Sequence, residues 1–226
     1  MKITFLGTGA ADWPKKRPEN SAEFRRLSSA LIDDILLIDP GPCVPDAMAE
    51  FGKDPADVRY IINTHRHDDH FCEDTVKMLE GHGAEFIVMR AGEEKKIGGY
   101  TVRAYRANHS TCKEAVHFII SDGEKTVFYG LDGAWLLYEE VAAIKQYRPD
   151  LAVLDATVGD IYGDYRIFEH NNLNMVLEMK KTLEKHIGRF CISHMARTLH
   201  ECHSELSRKM KQYDVTVAYD GLETEI

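Results

Sequence analysis

Cysteine is scarce and unpatterned in this chain: the five residues Cys43, Cys72, Cys112, Cys191 and Cys202 are odd in number and contain no Cys-x-x-Cys pair. That excludes a disulfide framework, and free thiols in a reducing cytoplasm explain them best. Long apolar runs are missing as well. No segment is long enough to span a bilayer, and Met1 to Gly9 lacks the basic start and extended apolar stretch of a signal peptide, so a cytoplasmic protein without a membrane segment is expected. There is no internal repeat, low-complexity tract or Pro/Gly/Ser-rich linker. Positive charge is also in short supply: 28 Lys plus Arg against 37 Asp plus Glu give a formal charge of -9. This argues against nucleic acid as a partner gripped by a broad basic surface, and leaves only a local patch open. What remains is ordinary globular composition, 44% hydrophobic and 29% charged, with enough chain for one domain over residues 1–226.

Strand and helix patterns alternate along the chain. Lys2 to Leu6 alternates as a half-buried strand, and Ala11 to Phe24, with Pro14 and Pro18, reads as a loop. Ser29 to Ile38 gives two strands around an Asp33-Asp34 turn, ending at Asp39-Pro-Gly-Pro42. Val44 to Phe51 suits a short helix, and Tyr60 to Asn63 a buried strand. Glu73 to Glu80, Ala134 to Tyr147, Leu173 to His186 and Ser204 to Tyr213 read as helices. Glu85 to Met89, Tyr100 to Ala107, Val116 to Ile120, Thr126 to Leu131, Leu151 to Leu154, Phe190 to Ser193 and Val215 to Tyr219 read as strands. Clustered strands with helices inserted between them suit a sandwich with helices outside two sheets, although periodicity alone does not choose that topology over another α/β arrangement.

The chemistry concentrates in Thr64-His-Arg-His-Asp-Asp-His70, where three of the chain's 11 histidines and two carboxylates follow a strand. Neutral imidazole and carboxylate are good ligands for zinc and related divalent ions. His65 and His67, at i and i+2, would share a face and serve one metal. Asp69 and His70 need the chain to turn, which would aim them at a second ion. A solvated polar loop with chance histidines is the bland alternative.

The His-x-His-x-Asp-His pattern at 65–70 resembles the signature of the metallo-β-lactamase superfamily. Met1-Lys-Ile-Thr-Phe-Leu-Gly-Thr-Gly9, Arg25 to Ile32 and Leu36-Leu-Ile-Asp-Pro-Gly41 resemble the opening strand and hairpin of the branch that holds PhnP-like phosphodiesterases and tRNA 3′-processing endonucleases. The resemblance implies an α/β protein with a four-layer αβ/βα sandwich and metals at one edge. It also implies the remaining ligands. His109 would join His65 and His67 on the first ion, Asp132 would bridge, and His194 would join Asp69 and His70 on the second. Two divalent ions, zinc or manganese, would then share a bridging hydroxide as nucleophile, and no other cofactor is expected.

The same resemblance makes Asp155 and His170 a candidate proton shuttle, alongside Asp69, for the catalytic step. The endonucleases of the branch carry Glu and a His-Ser-Thr-like turn where this chain has Asp155 and His170-Asn-Asn172, so a capping role for both stays open. Asp39 is a candidate to orient a ligand histidine, Asp68 to face solvent, and Arg197 to meet a phosphate or sit free on the surface. His200, Cys202 and His203 read as a helix start rather than a metal site, and His82, His117 and His186 carry no pattern.

The expected function is hydrolysis of a small or cyclic phosphodiester. A metal-dependent lactonase or thioesterase, a tRNA 3′-processing endonuclease and a non-catalytic nucleotide-binding protein remain the alternatives, and a homodimer stays open.

Overall fold

The computed structural model describes residues 1–19 and 21–226; Asn20, inside the loop expected over 11–24, lies outside the described residues. The first of two mixed sheets holds β1 (Lys2–Gly7), β2 (Ser29–Ile32), β3 (Leu36–Ile38), β4 (Tyr60–Ile62), β5 (Glu85–Ile87) and β13 (Glu223–Glu225), in the order β13-β1-β2-β3-β4-β5. The second holds β6 (Glu94–Ile97), β7 (Tyr100–Arg106), β8 (Val116–Ser121), β9 (Thr126–Gly130), β10 (Leu151–Asp155), β11 (Arg189–Ser193) and β12 (Val215–Val217), in the order β12-β11-β10-β9-β8-β7-β6. Helices α1 (Val44–Glu50) and α2 (Glu73–Gly81) cover the outer face of the first sheet. Helices α3 (Tyr138–Tyr147), α4 (Leu173–Leu183) and α5 (His203–Lys211) cover that of the second.

The strand period of two explains the layers. Ala30, Ile32, Leu36, Ile38 and Ile62 point between the sheets, where they meet Phe118, Tyr129 and Val153. Their neighbours Leu31, Leu37 and Ile61 point the other way, onto Val44, Met48 and Leu79 of the helices. In β10, Val153 faces the inter-sheet core while Ala152 and Leu154 face the outer helices. Strands buried on both faces need continuous apolar sequence, and the result is the expected α/β sandwich of two sheets between helix layers. Among the described residues no helix is long and apolar enough to cross a membrane.

The largest differences from the sequence expectation are two strands and one helix start, beside short 3-10 turns at Pro55–Asp57 and Tyr165–Phe168 and element ends that fall two or three residues early. Strands β6 and β13 were not expected; both are edge strands, written Glu-Lys-Lys-Ile and Glu-Thr-Glu, and edges tolerate the charge that hides a strand pattern. Helix α3 starts at Tyr138 rather than Ala134. The Ala134 N–H donates to Asn108 O (3.1 Å), and the Leu137 N–H is capped by Glu140 Oε2 (2.7 Å), so the helix begins only after that cap.

Pairing is parallel from β3 to β5 and from β9 to β12, and β7 runs with β9 because each is antiparallel to β8. The residues that follow these strands are therefore delivered together.

Candidate metal centre

Three of the side chains delivered there leave their strands in a left-handed backbone: Asp39 after β3 (φ 61°), Asp132 after β9 (φ 57°) and His194 after β11 (φ 62°). That region costs a non-glycine residue about 1–2 kcal/mol, and its use at three strand ends marks turns set by the surroundings rather than by local preference. His65, His67, Asp69 and His70 follow β4, His109 follows β7, and Asp155 ends β10.

Besides a group of Asp132, Asp155, His170 and His194, these residues form two clusters whose ligand atoms lie within 4.8 Å of one another: His65, His67, His109 and Asp132, and Asp69, His70, Asp132 and His194. Asp132 belongs to both. Its Oδ2 lies 3.0 Å from His65 Nε2 and 2.9 Å from His70 Nε2, and its Oδ1 lies 3.0 Å from His194 Nε2.

The outer partners fix which imidazole nitrogen faces inward. His70 Nδ1–H donates to Asp39 Oδ2 (2.8 Å), and Asp39 Oδ1 accepts from the Thr64 N–H (2.7 Å) and hydroxyl (2.8 Å). The Thr64 proton being spent on Asp39, its Oγ1 accepts from His65 Nδ1–H at 3.0 Å. Thr157 repeats the device: its hydroxyl donates to Asp155 Oδ2 (3.0 Å) and accepts from His194 Nδ1–H (2.8 Å). His109 Nδ1 faces Glu169 O at 3.4 Å. Four Nε2 lone pairs are thereby turned inward. His67 faces His109 Nε2 with its Nδ1, at 3.2 Å.

This arrangement fits divalent cations. His70 Nε2 and His194 Nε2 lie 3.1 Å apart with each ring's proton already committed on the other side. Opposed lone pairs repel unless a positive charge sits between them. His65 Nε2 and Asp132 Oδ1 are buried without a hydrogen-bond partner among the described residues, which is costly for polar atoms unless an ion satisfies them.

Electrostatics separates the clusters. Burial lowers His67 and takes His109 down to about 4, so these rings are neutral and ready to ligate. Burial alone would lower His70 and His194 too, but Asp132 and its neighbouring carboxylates outweigh it and raise both well above the usual imidazole range. Burial would raise Asp69, but His70 and His194 outweigh it and hold its carboxyl at about 2. The second cluster thus favours a proton or a metal on its imidazoles, and metal uptake there displaces protons.

His170 stands beside both clusters. Its Nδ1 is 2.9 Å from Asp155 Oδ2 and 3.4 Å from Asp132 Oδ1. Asp155 is fully buried, and its Oδ1 accepts from the Thr157 N–H (3.0 Å) and the Asn171 N–H (2.9 Å). Asn171 also donates to Gly133 O (2.9 Å), while Asn172 caps α4 through the Met175 N–H (2.9 Å). The two asparagines after His170 thus each have a structural task. His67, Asp69, His109, Asp132, His170 and His194 line one cavity of about 240 Å³, which Arg166 also borders.

Several residues took roles that the sequence reading did not assign. Thr157 joins His194 to Asp155. Glu169 binds the Ser110 hydroxyl and accepts from Thr111 Oγ1 (2.7 Å), tying the His109 loop to the segment before His170. His117, fully buried in β8, bonds Glu140 Oε1 through Nδ1 (2.5 Å) and Leu131 O through Nε2 (3.1 Å), directly before Asp132. A Cβ on Gly133 would meet that ring at 2.5 Å, so glycine is required there. Arg197 is not among the residues that line that cavity; it is bonded to Asp12, whose Oδ1 accepts its backbone N–H (2.7 Å) and whose carbonyl accepts its Nε–H (3.2 Å). His203 opens α5, as the helix-start reading expected.

A family model described as the metallo-beta-lactamase superfamily matches residues 28–73. No curated protein matches the chain in sequence. Among solved structures, the chain is similar to the metallo-beta-lactamase fold protein YhfI from Bacillus subtilis, at 18% identity and TM-score 0.75, covering 100% of this chain and 99% of that one. A diphosphatase of the PhnP family gives 18% identity and TM-score 0.75, covering 100% and 97%. Human tRNase Z, short form, gives 17% identity and TM-score 0.72, covering 100% and 99%. With two helix-flanked mixed sheets and both His/Asp clusters at one edge, the chain has the metallo-β-lactamase superfamily fold, one that diverse hydrolases share.

Proposed function

We propose that the chain is a two-metal phosphodiesterase acting on a small or cyclic phosphodiester, with zinc or manganese held by His65, His67, His109 and Asp132 and by Asp69, His70, Asp132 and His194. The observation that carries this reading is the Asp155–His170 pair set against the shared carboxylate, at 2.9 Å and 3.4 Å. When bound, two such cations supply an activated water and polarise the phosphoryl group. The chain's own residues supply the rest.

Asp155 accepts a hydrogen bond from His170 Nδ1–H and fixes its ring, which leaves Nε2–H to supply the proton that the leaving oxygen needs. Burial would discharge this imidazole, but Asp155 outweighs it and raises its pKa above the ordinary value, favouring the acid form. Thr157 links Asp155 to His194, so proton holder and ligand share one support. A lactone or thioester makes less use of a separate acid, whereas an alkoxide leaving from a diester depends on one. The fold likeness to a PhnP-family diphosphatase and to tRNase Z supports phosphoester chemistry. The five cysteines are all free, which supports a reducing, cytoplasmic setting.

The test is turnover by metal-reconstituted protein of cyclic and linear phosphodiesters, matched phosphomonoesters, lactones, thioesters and a β-lactam. Diesters are expected to be cleaved far faster than monoesters. Turnover confined to lactones or thioesters, or equal rates on mono- and diesters, overturns the reading.

A further inference from the structure

A second cavity, of about 430 Å³, is bordered in part by Thr64, His65 and Arg66, on the loop that carries the first candidate ligands. The two cavities draw on the same segments: His67, His109 and Thr111 line the first, while Arg66, Cys112 and Lys113 line the second. Its volume falls within the roughly 300–1,000 Å³ range of small-molecule sites.

The lining is unusual for so acidic a chain. Arg66, Arg90, Arg106 and Lys113 all border this space and all are exposed. No carboxylate comes within 4.0 Å of any of these four cationic groups among the described residues. Glu93, the nearest in sequence to Arg90, is taken up by the Arg90 backbone N–H (2.9 Å) and by Lys95 (3.5 Å). Glu114 is the one acidic side chain in the wall among the described residues. Arg66 is also steadied: its guanidinium lies 4.5 Å from the Phe71 ring centroid and 5.9 Å from that of Phe86. Stacking occupies a face and leaves the N–H edge free for an anion. Phe86, buried Met89 and half-exposed Val88 (52%) give the same space an apolar side.

Four unpaired cations gathered on a chain of net charge -9 focus a local positive field. We propose that this cavity is a subsite for a second anionic group, a phosphate, carried by the molecule cleaved at the metal centre, with the apolar side taking a flat or apolar portion between the two. The substrate class is a nucleotide-like phosphodiester that bears a further phosphate. This rests on the phosphodiesterase reading for the cleavage step, whereas anion capture by the cavity stands on the cations alone.

The experiment separates the two. Binding of thymidine 3′,5′-bisphosphate and of thymidine 3′-monophosphate to metal-reconstituted protein is measured by calorimetry, together with kcat/KM for the 3′-nitrophenyl diesters of thymidine with and without a 5′-phosphate. Each pair differs only in the second phosphate. The added phosphate is expected to tighten binding and raise kcat/KM at least about tenfold, as charge-assisted contacts do. That gain should fall toward unity in R90Q/K113Q, whose residues are exposed, and should shrink as salt is added.

A gain that is absent, or that survives in R90Q/K113Q, overturns the subsite even if diesters are turned over. A binding gain that the double variant abolishes sustains the subsite even if neither diester is cleaved, and then the phosphodiesterase reading has failed instead. If the bisphosphate gains nothing while R90Q/K113Q weakens only a single-stranded oligonucleotide, the cavity serves a nucleic-acid backbone and the small-molecule subsite is wrong.

Discussion

The sheet that carries β1 to β5 brings four candidate ligands on one loop, His65 to His70, steadied mainly by the single carboxylate of Asp39. The other sheet brings His109, Asp132 and His194 from the ends of three different strands, each held by its own partner: Glu169 O, the His117–Leu131 contact, and Thr157. One arm is local and depends on one hub. The other is distributed, and its geometry is the geometry of the sheet. A local arm can be aimed by a short sequence; a distributed arm needs the whole second sheet to be folded first.

The harshest test removes the residue that both arms share. Asp132→Ala should lose both ions rather than one, because its two oxygens approach His65, His70 and His194 alike. Turnover should drop by more than about a hundredfold. Elemental analysis of reconstituted protein reads this directly, and retention of one full equivalent would show that the arms bind metal independently.

Next comes the group that belongs to neither ligand arm but leans on the distributed one. His170→Ala should lose roughly a hundredfold to ten-thousandfold on an alkyl diester, the range of general acid catalysis. It should lose much less on a nitrophenyl diester, whose leaving group departs without a proton. Metal content should stay at two equivalents. His170 also sits in a donor group with Asp132, Asp155 and His194, so loss of metal in this variant would make it a ligand and not an acid.

The hub of the local arm gives the third comparison. Asp39→Asn keeps the shape but cannot accept from both Thr64 and His70 as a carboxylate does. Metal affinity should fall about ten- to a hundredfold, the usual cost of an outer partner. The loss should fall chiefly on the second cluster, since His70 is bonded directly and His65 only through Thr64. Titration of the two sites with a chromophoric metal competitor checks it; equal weakening of both would mean that Asp39 fixes the loop as a whole.

The same contrast explains what could be read from the sequence. The local arm is a pattern of neighbours, so His65 to His70 stands out without any fold. His109, Asp132 and His194 each sit alone after a strand, and only the resemblance to a known fold singled them out. The second sphere was less legible still. Asp39 could be suspected from its strand-end position, but Thr157 and His117 could not, because their partners lie 37 and 23 residues away and contact depends on sheet register. Of the two unread strands, β6 carried a usable sign, the Gly98-Gly99 turn with Gly98 at φ 57°, whose two-residue loop suits a hairpin. Strand β13 carried none: Glu-Thr-Glu owes its place to pairing with β1 across the whole length of the chain.

The smallest expected effect probes the deepest clamp of the distributed arm. His117 faces an acceptor with each nitrogen, Glu140 Oε1 at Nδ1 and Leu131 O at Nε2, almost wholly out of solvent, an arrangement that favours the imidazolium. Burial lowers its pKa, but Glu140 outweighs burial and raises it. The sign follows from linkage. A group whose folded pKa is raised adds stability that is complete below its unfolded value near 6.5, and loses it as pH climbs through the folded value. Glu140→Gln keeps an oxygen for the Leu137 N–H and an amide to donate to His117, so the hydrogen bonds survive while the charge goes. The variant should therefore melt a few degrees below the wild type at pH 6, at roughly 2–4 °C per kcal/mol for a chain of this size. The gap should close as pH rises through that folded value. Because Leu131 O keeps its donor, Asp132 should hold its position and metal affinity should change by less than about threefold. Melting curves of both proteins across that range are the measurement. A gap that is flat with pH would show the pair to be neutral, and a large loss of metal would show that the charge itself, not the hydrogen bond, aims Asp132.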